Sequence, residues 1–239
     1  MDSKIKKSEY YLGLAKGMPI AFGYLPVSFT FGLIAVKGGL SPWLAIFISM
    51  SNLTSAGQFA GVNLIIAQAN LLEITLTTFI INIRYSLMSL ALSQKLAENI
   101  PASWRSIMAF GITDETFAIA ATREKEITFP YMLGLITGPY LGWSLGTILG
   151  AMTCSYLPEA LQSSMGIALY AMFIAIVVPA AKASRAAFFV ASLGIAISCF
   201  FTWAPYLNKI SAGWQITIAT IVAAALGAIF FPKDSEVND

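Results

Sequence analysis

An all-α, polytopic integral membrane fold is what this chain predicts, and two observations carry that reading. First, 57% of its 239 residues are hydrophobic and only 11% are charged, a balance outside that of ordinary soluble domains. Second, uncharged runs cover 17–36, 38–72, 74–83, 127–158, 160–181, 186–208 and 210–232, and several exceed the ~20 residues a spanning helix needs. Residues 1–239 read as one transmembrane domain.

Eight helices follow in order: 17–36, 42–69, 74–93, 106–122, 127–150, 160–181, 186–207 and 211–231. Lys4, Lys6 and Lys7 precede the first. That stretch holds Pro19 and Pro26 and has no small-x-small cleavage site, so it reads as a retained span behind a short cytoplasmic N-terminus, 1–16. The third and fourth are the least apolar, because they contain Arg84 and the Asp114–Glu115 pair; between them 94–105 is polar, Pro-broken and interfacial. With both termini cytoplasmic (the C-terminal tail being 233–239), the eight-span topology puts nine Lys and Arg inside against four outside, as the positive-inside rule requires. Turning only the second segment back would switch every later loop and erase that bias. Seven spans with a re-entrant 42–69 is therefore the alternative.

Gly and Pro gather in the first, second and fifth segments. Pro19, Pro26, Gly57, Gly138 and Pro139 are the expected helix breaks, of which Pro26, Gly57 and Gly138 fall at mid-depth. Broken helices free backbone groups that are tolerated only against protein or a wet cavity, and such helices build many transporter sites. Close packing by small residues is the plainer reading of the same residues. Gly23-Tyr24-Leu25-Pro26 faintly resembles Gly138-Pro139-Tyr140-Leu141, but those helices run the same way in this topology, so no inverted repeat follows.

The buried polar groups are the candidate site. A charge at the bilayer centre costs ~3 kcal/mol on insertion scales, so it is kept with a partner or for a task. Arg84 has ten residues between it and Glu73, and nine before Gln94; Asp114 lies midway between Arg105 and Arg123. On the third helix Thr75, Thr78, Asn82, Ser86, Ser89 and Ser93 form a polar stripe, which lines a cavity or bonds a neighbouring helix. Arg84 lies off that stripe with Ile80, Ile81, Leu87 and Met88, so its counter-charge comes from another helix. Adjacent residues on a helix point ~100° apart, so one of Asp114 and Glu115 pairs with Arg84 and the other stays free to titrate. Asn52, Ser55 and Gln58 also sit centrally. A structural ion pair bracing two helices is the competing reading.

Other chemistries find little support. The chain has no histidine, and Cys154 and Cys199 are isolated, so no metal or nucleophile set is expected and no catalytic residue is assigned. No phosphate-binding G-x-x-x-x-G-K-[ST] loop occurs, and no basic cluster with interleaved aromatics suggests nucleic acid. No cofactor is implied. A membrane-embedded enzyme and a purely structural subunit remain minor alternatives.

Four segments carry a family resemblance: G-M-P-I-A-F-G-Y-L-P at 17–26, S-N-L-T-S-A-G-Q-F-A-G at 51–61, I-N-I-R-Y-S-L at 81–87 and I-T-D-E-T-F at 112–117. Through about residue 150 the chain resembles the AzlC family of branched-chain amino-acid exporters. The resemblance implies a multi-pass transporter of the cell membrane for leucine, isoleucine, valine or similar small amino acids, working with a small hydrophobic AzlD-type subunit. Where the family pattern has histidine after the arginine of N-x-R, this chain has Tyr85. The expected substrate is then a small zwitterion. Arg84, or a helix N-terminus near Gly57, would take its carboxylate, while Asp114 or Glu115 would meet its ammonium group or a coupling proton. Gln58 and Asn82 would bond its backbone, with Phe22, Phe59 and Phe117 lining the apolar part. A channel-like facilitator for a small polar solute, using the same groups as its filter, is the alternative.

Overall fold

A computed structural model describes residues 3–98, 100–158, 177–205 and 207–232, together with Ile167 and Ile174. All of its named elements are helical: α1 (Ser3–Lys37), α2 (Pro42–Ser51), α3 (Ala56–Ile66), α4 (Leu71–Ser93), α5 (Ala102–Phe110), α6 (Asp114–Ala121), α7 (Phe129–Thr153), α8 (Arg185–Trp203) and α9 (Ala212–Phe230), plus short 3-10 turns. Five stretches of these residues are long and apolar enough to cross a membrane: Ile5–Lys37, Leu71–Ser93, Phe129–Tyr156, Arg185–Trp203 and Ala212–Phe230. The predicted segment 160–181 and the tail 233–239 lie mostly or wholly outside the described residues.

Side-chain caps set several helix starts. Ser41, Asn70, Thr128 and Ser184 accept from the backbone N–H groups of Leu44, Glu73, Tyr131 and Ala187, satisfying donors that a helix start leaves without partners. Glu73, in the first turn of α4, is buried; its Oε1 accepts from Gly213 N at 3.0 Å and ties the start of α9 to α4.

The centre of the molecule is the parallel pair α1 and α7. On α7 Gly134, Gly138, Gly142, Gly146 and Gly150 repeat every four residues and form one bare face. Gly13 lies against Tyr131 and Leu135 at one end of the pair, and Gly32 lies against Thr147 and Ala151 at the other. Here the sequence expectation is corrected. Both helices run unbroken through Pro19, Pro26, Gly138 and Pro139, because the glycines serve the helix–helix contact and the prolines are absorbed within it. The first helix also starts at Ser3, so residues of the expected 1–16 tail are helical from there on.

Two predicted spans are hairpins instead. A straight helix over 42–69 would carry Ile66 about 36 Å from Pro42. Yet the Ile66 side chain lies against Gly38, just before Pro42. α2 therefore enters from the Lys37 end beside α7 (Ser49 to Thr147, 2.6 Å), turns at 52–55, and α3 returns antiparallel to α4, with Gly57 at Asn82 and Gly61 at Thr78. The segment 106–122 behaves alike from the opposite end. α5 runs inward along α7, Trp104 stacking on Phe129 at 4.3 Å and Gly111 meeting Ile136. α6 runs back along α1, from Tyr24 opposite Glu115 to Glu9 opposite Arg123. Lys95 Nζ donates to Ala121 O at 2.6 Å, and Ala97 N to Ile127 O at 3.0 Å, closing that hairpin at the Glu9 end.

Each hairpin covers its own apolar core. One includes Phe31, Leu53, Phe59, Val62 and Trp143; the other includes Met108, Ile112, Ala120, Tyr131 and Leu135. Lys95 and Arg105 thereby move to the end that holds Glu9. Among the described residues that end carries Lys4, Lys6, Lys7, Lys16, Lys95, Arg105, Arg123, Lys125, Lys182 and Arg185, and the other carries Lys37 and Lys209.

Candidate functional site

The hairpin tips meet midway between the two ends. At the first tip Asn52 leaves the α-helical region (φ −146°, ψ 104°) and Ser55 adopts φ 47°, left-handed backbone that a non-glycine residue holds only under constraint. Thr54 Oγ1 donates to Asn52 Oδ1 at 2.6 Å, and Thr54 O accepts from Tyr85 OH at 3.2 Å. Leu53 is buried and anchors the turn in the core. The first turn of α3 carries no side-chain cap, and Gly57 N donates to the Thr54 carbonyl at 3.3 Å.

At the second tip Gly111 ends α5 and Thr113 caps α6. Thr113 Oγ1 accepts from Thr116 N at 3.3 Å, while Thr116 Oγ1 accepts from Thr113 N at 2.8 Å and donates to Gly111 O at 2.9 Å. Asp114 and Glu115 occupy the first turn of α6, where carboxylates complement the helix dipole.

Those carboxylates diverge as adjacent helical residues must. Asp114 Oδ2 lies 3.0 Å from Arg84 Nη1 on α4, giving the ion pair that the sequence anticipates. Glu115 turns the other way and accepts from the hydroxyl of Tyr24 on α1. The same hydroxyl is 2.8 Å from Thr113 Oγ1. Glu115 thus has its own partner on α1, apart from the Arg84–Asp114 pair. Arg84 also donates through Nη2 to Tyr85 OH at 3.3 Å, and its buried Nε has no partner among the described residues. The side chains of Arg84 and Asp114 remain 40% and 30% exposed, so the pair faces open space, not a sealed interface.

That space is a cavity of about 130 Å³, lined by Ser55, Arg84, Asp114 and Glu115, with Tyr24 and Trp143 among its other walls. Its size is close to the ~150 Å³ of a void that admits a benzene-sized molecule. Four predicted site residues therefore reach it. The others stand behind. Gln58 is buried, and its Oε1 accepts from Trp143 Nε1 at 3.2 Å, orienting the indole. Gly57 leaves room for the Asn82 side chain, whose buried Oδ1 has no partner among the described residues, and Asn52 is spent on the turn. Phe22 is 70% exposed, Phe59 packs edge-on against Phe31 in one core, and Phe117 packs against the other, so none lines the cavity.

Tyr24, Thr113 and Trp143 escaped sequence reasoning. Gly111 followed by Thr113-Asp114-Glu115 is a helix stop-and-start signal that would have exposed the second break. The cluster Ser51-Asn52-Leu53-Thr54-Ser55 is the equivalent loop signal for the first. Tyr24 and Trp143 leave no local mark, since aromatic side chains are ordinary in membrane helices.

The sequence profile of the family described as "AzlC protein" matches residues 19–157, a range that contains both hairpins and every cavity residue named above. The chain is 31% identical to an uncharacterized membrane protein of Archaeoglobus fulgidus over 228 residues, 95% of each chain. It is 30% identical to the inner membrane protein YgaZ of Escherichia coli, over 68% of this chain and 69% of that one. An uncharacterized membrane protein of Helicobacter pylori is 29% identical over 65% of this chain and 68% of its own length. No solved structure matches.

Proposed function

The chain belongs to the AzlC family of membrane proteins, and from that premise we propose that it exports branched-chain or similarly small amino acids by an ion-coupled secondary mechanism. It works with a small hydrophobic AzlD-type subunit in the cytoplasmic membrane. The single observation that carries this reading is the Arg84–Asp114 pair lining a small cavity between two hairpin tips. An amino acid brings both charges. Its carboxylate takes the guanidinium, assisted by the uncapped start of α3, and its ammonium group takes Asp114, so neither buried charge is left unmatched. A ligand with one charge would strand the other partner. Trp143 and Leu53 supply the apolar wall for an aliphatic side chain.

The end holding Glu9 is assigned to the cytoplasm, because ten of the described Lys and Arg residues gather there against two at the Lys37 end. The name of the relative YgaZ, an inner membrane protein, agrees with a cytoplasmic-membrane location.

Labelled leucine uptake into inverted vesicles, with and without a co-expressed small subunit, tests the reading under an imposed proton gradient. Arg84→Gln and Asp114→Asn should each reduce transport to background while the protein remains inserted. Unimpaired transport by both variants refutes the site. Two polar tips meeting midway also suit a channel-like facilitator, and counterflow separates the readings: a carrier exchanges internal for external leucine, a channel does not.

A further inference from the structure

α6 is the wall between the cavity and the Glu9 end. At that end a cleft of about 810 Å³ opens between α1 and α6, lined by Leu12, Lys16 and Pro19 on one side and Ile119 and Thr122 on the other. Glu115, Ile119 and Thr122 are spaced i, i+4 and i+7, so one face of α6 borders the cavity above and the cleft below. On α1 the cleft ends near Pro19, and Tyr24 stands little more than a turn further on. The α1–α6 seam closes there, where the Tyr24 hydroxyl meets Glu115 and Thr113.

Both arms of this hairpin bury residues in the second apolar core, α5 through Met108 and α6 through Ala120, but their ends are held differently. α5 is fixed to α7 by the Trp104–Phe129 stack and by Gly111 against Ile136. α6 has eight residues, too few to be stable without tertiary support, and lies between the break at 111–113 and the loop 122–128. Polar clamps hold it at both extremities. Tyr24 and Arg84 grip its first turn, while just past its end Arg123 pairs with Glu9 at 2.7 Å and lies 3.8 Å from the centre of the Tyr131 ring. Polar clamps have discrete alternatives in a way that packed apolar faces do not. The other hairpin repeats the device, its Thr54 carbonyl held by Tyr85 of α4.

We propose that α6 is the gate between the cleft and the cavity and that Tyr24 is its latch. With the Tyr24 hydroxyl on Glu115 and Thr113, the cavity is shut from the Glu9 end. When α6 swings away from α1 about 111–113, the cleft and the cavity become one passage. The assignment rests on the reading of the cavity as the substrate site.

Thiol accessibility tests the latch without measuring transport. In a background carrying Cys154→Ser and Cys199→Ser, single cysteines are placed in the cavity (Ser55→Cys) and in the cleft (Ile119→Cys). Each is labelled with a membrane-impermeant maleimide in right-side-out and in inverted vesicles. The cleft cysteine should label from one side only, whatever residue 24 is. The cavity cysteine should label slowly with Tyr24 present and several-fold faster, from that same side, in Tyr24→Phe. An unchanged rate, or acceleration from the opposite side alone, overturns the latch. Glu115→Gln, which weakens the same contact without touching α1, gives a second reading should Tyr24→Phe fail to fold. Leucine transport measured in parallel keeps the two ideas apart. Intact transport with unchanged labelling removes the gate and leaves the substrate site, whereas accelerated labelling in a protein that never moves leucine does the reverse.

Discussion

The α1–α7 pair and the two hairpins solve opposite problems with the residues that sequence reasoning found most suggestive. Gly and Pro are most numerous in α1 and α7, yet both helices are continuous, since the glycines let two backbones approach and hold each other straight. The chain turns where Asn52, Thr54, Ser55 and Thr113 supply polar side chains. A turn inside a membrane exposes peptide groups that lipid cannot satisfy, so the residues that make it are those able to bond it. Thr116 bonds the Thr113 N–H and the Gly111 carbonyl, and Tyr85 of α4 bonds the Thr54 carbonyl, while Asn52 with Thr54 and Tyr24 with Thr113 brace the same turns through their side chains. Between α1 and α7 most glycines mark contact, whereas at the two tips short polar side chains bond the turn.

Sidedness is the largest way to break that comparison, because the outcome is all or none. Single cysteines at Lys37 and Ala67 should label from one side of the membrane, and those at Lys95 and Glu124 from the other. Eight straight spans would place the members of each pair on opposite sides, and that pattern would refute both hairpins. Next in size is the glycine seam. Gly134→Leu or Gly150→Leu pushes a side chain into the backbone of α1 at Tyr10–Leu14 or at Phe29 and should cost about 3 kcal/mol or more, read as loss of monodisperse protein in detergent. Thr113→Ala is smaller: losing the α6 cap should cost about 1 kcal/mol in thermal unfolding, with folding retained. The smallest effect sharpens the contrast within one helix. Gly23 has nothing within 4 Å of where a Cβ would sit, so Gly23→Ala should be tolerated and stabilise α1 slightly, by about 0.5 kcal/mol, through helix propensity.

Legibility followed the same division. The helix 74–93 was placed to within a few residues, because its length, its polar stripe and the boundary at Asn70–Glu73 are local features. The Arg84–Asp114 pair was legible too, since two opposite charges at equal depth have few other solutions in a membrane. Hairpin and span were not distinguishable by hydropathy: 42–69 is apolar enough for either, and one re-entrant segment alone would have spoiled the charge balance. Two of them, entering from opposite ends, restore it. Moving Lys95 and Arg105 to the Glu9 end leaves only Lys37 and Lys209 opposite among the described residues. The cavity walls were half legible. Ser55, Arg84, Asp114 and Glu115 announce themselves as polar groups in apolar surroundings, whereas Tyr24 and Trp143 acquire their place only from the helices that bring them there.

By itself the sequence determined the membrane class, the helical content, the family and the charged pair, all of which depend on composition and on residues close together in the chain. Tertiary structure alone decided that two apolar segments turn back, that Glu115 answers to Tyr24 and not to Arg84, and that the glycines seal α1 to α7. These outcomes rest on contacts between residues up to 127 apart in the chain, among them Tyr10 with Thr137 and Tyr24 with Glu115. Hydropathy reports how apolar a segment is. Which neighbour satisfies the backbone where that segment bends is a property of the packed molecule.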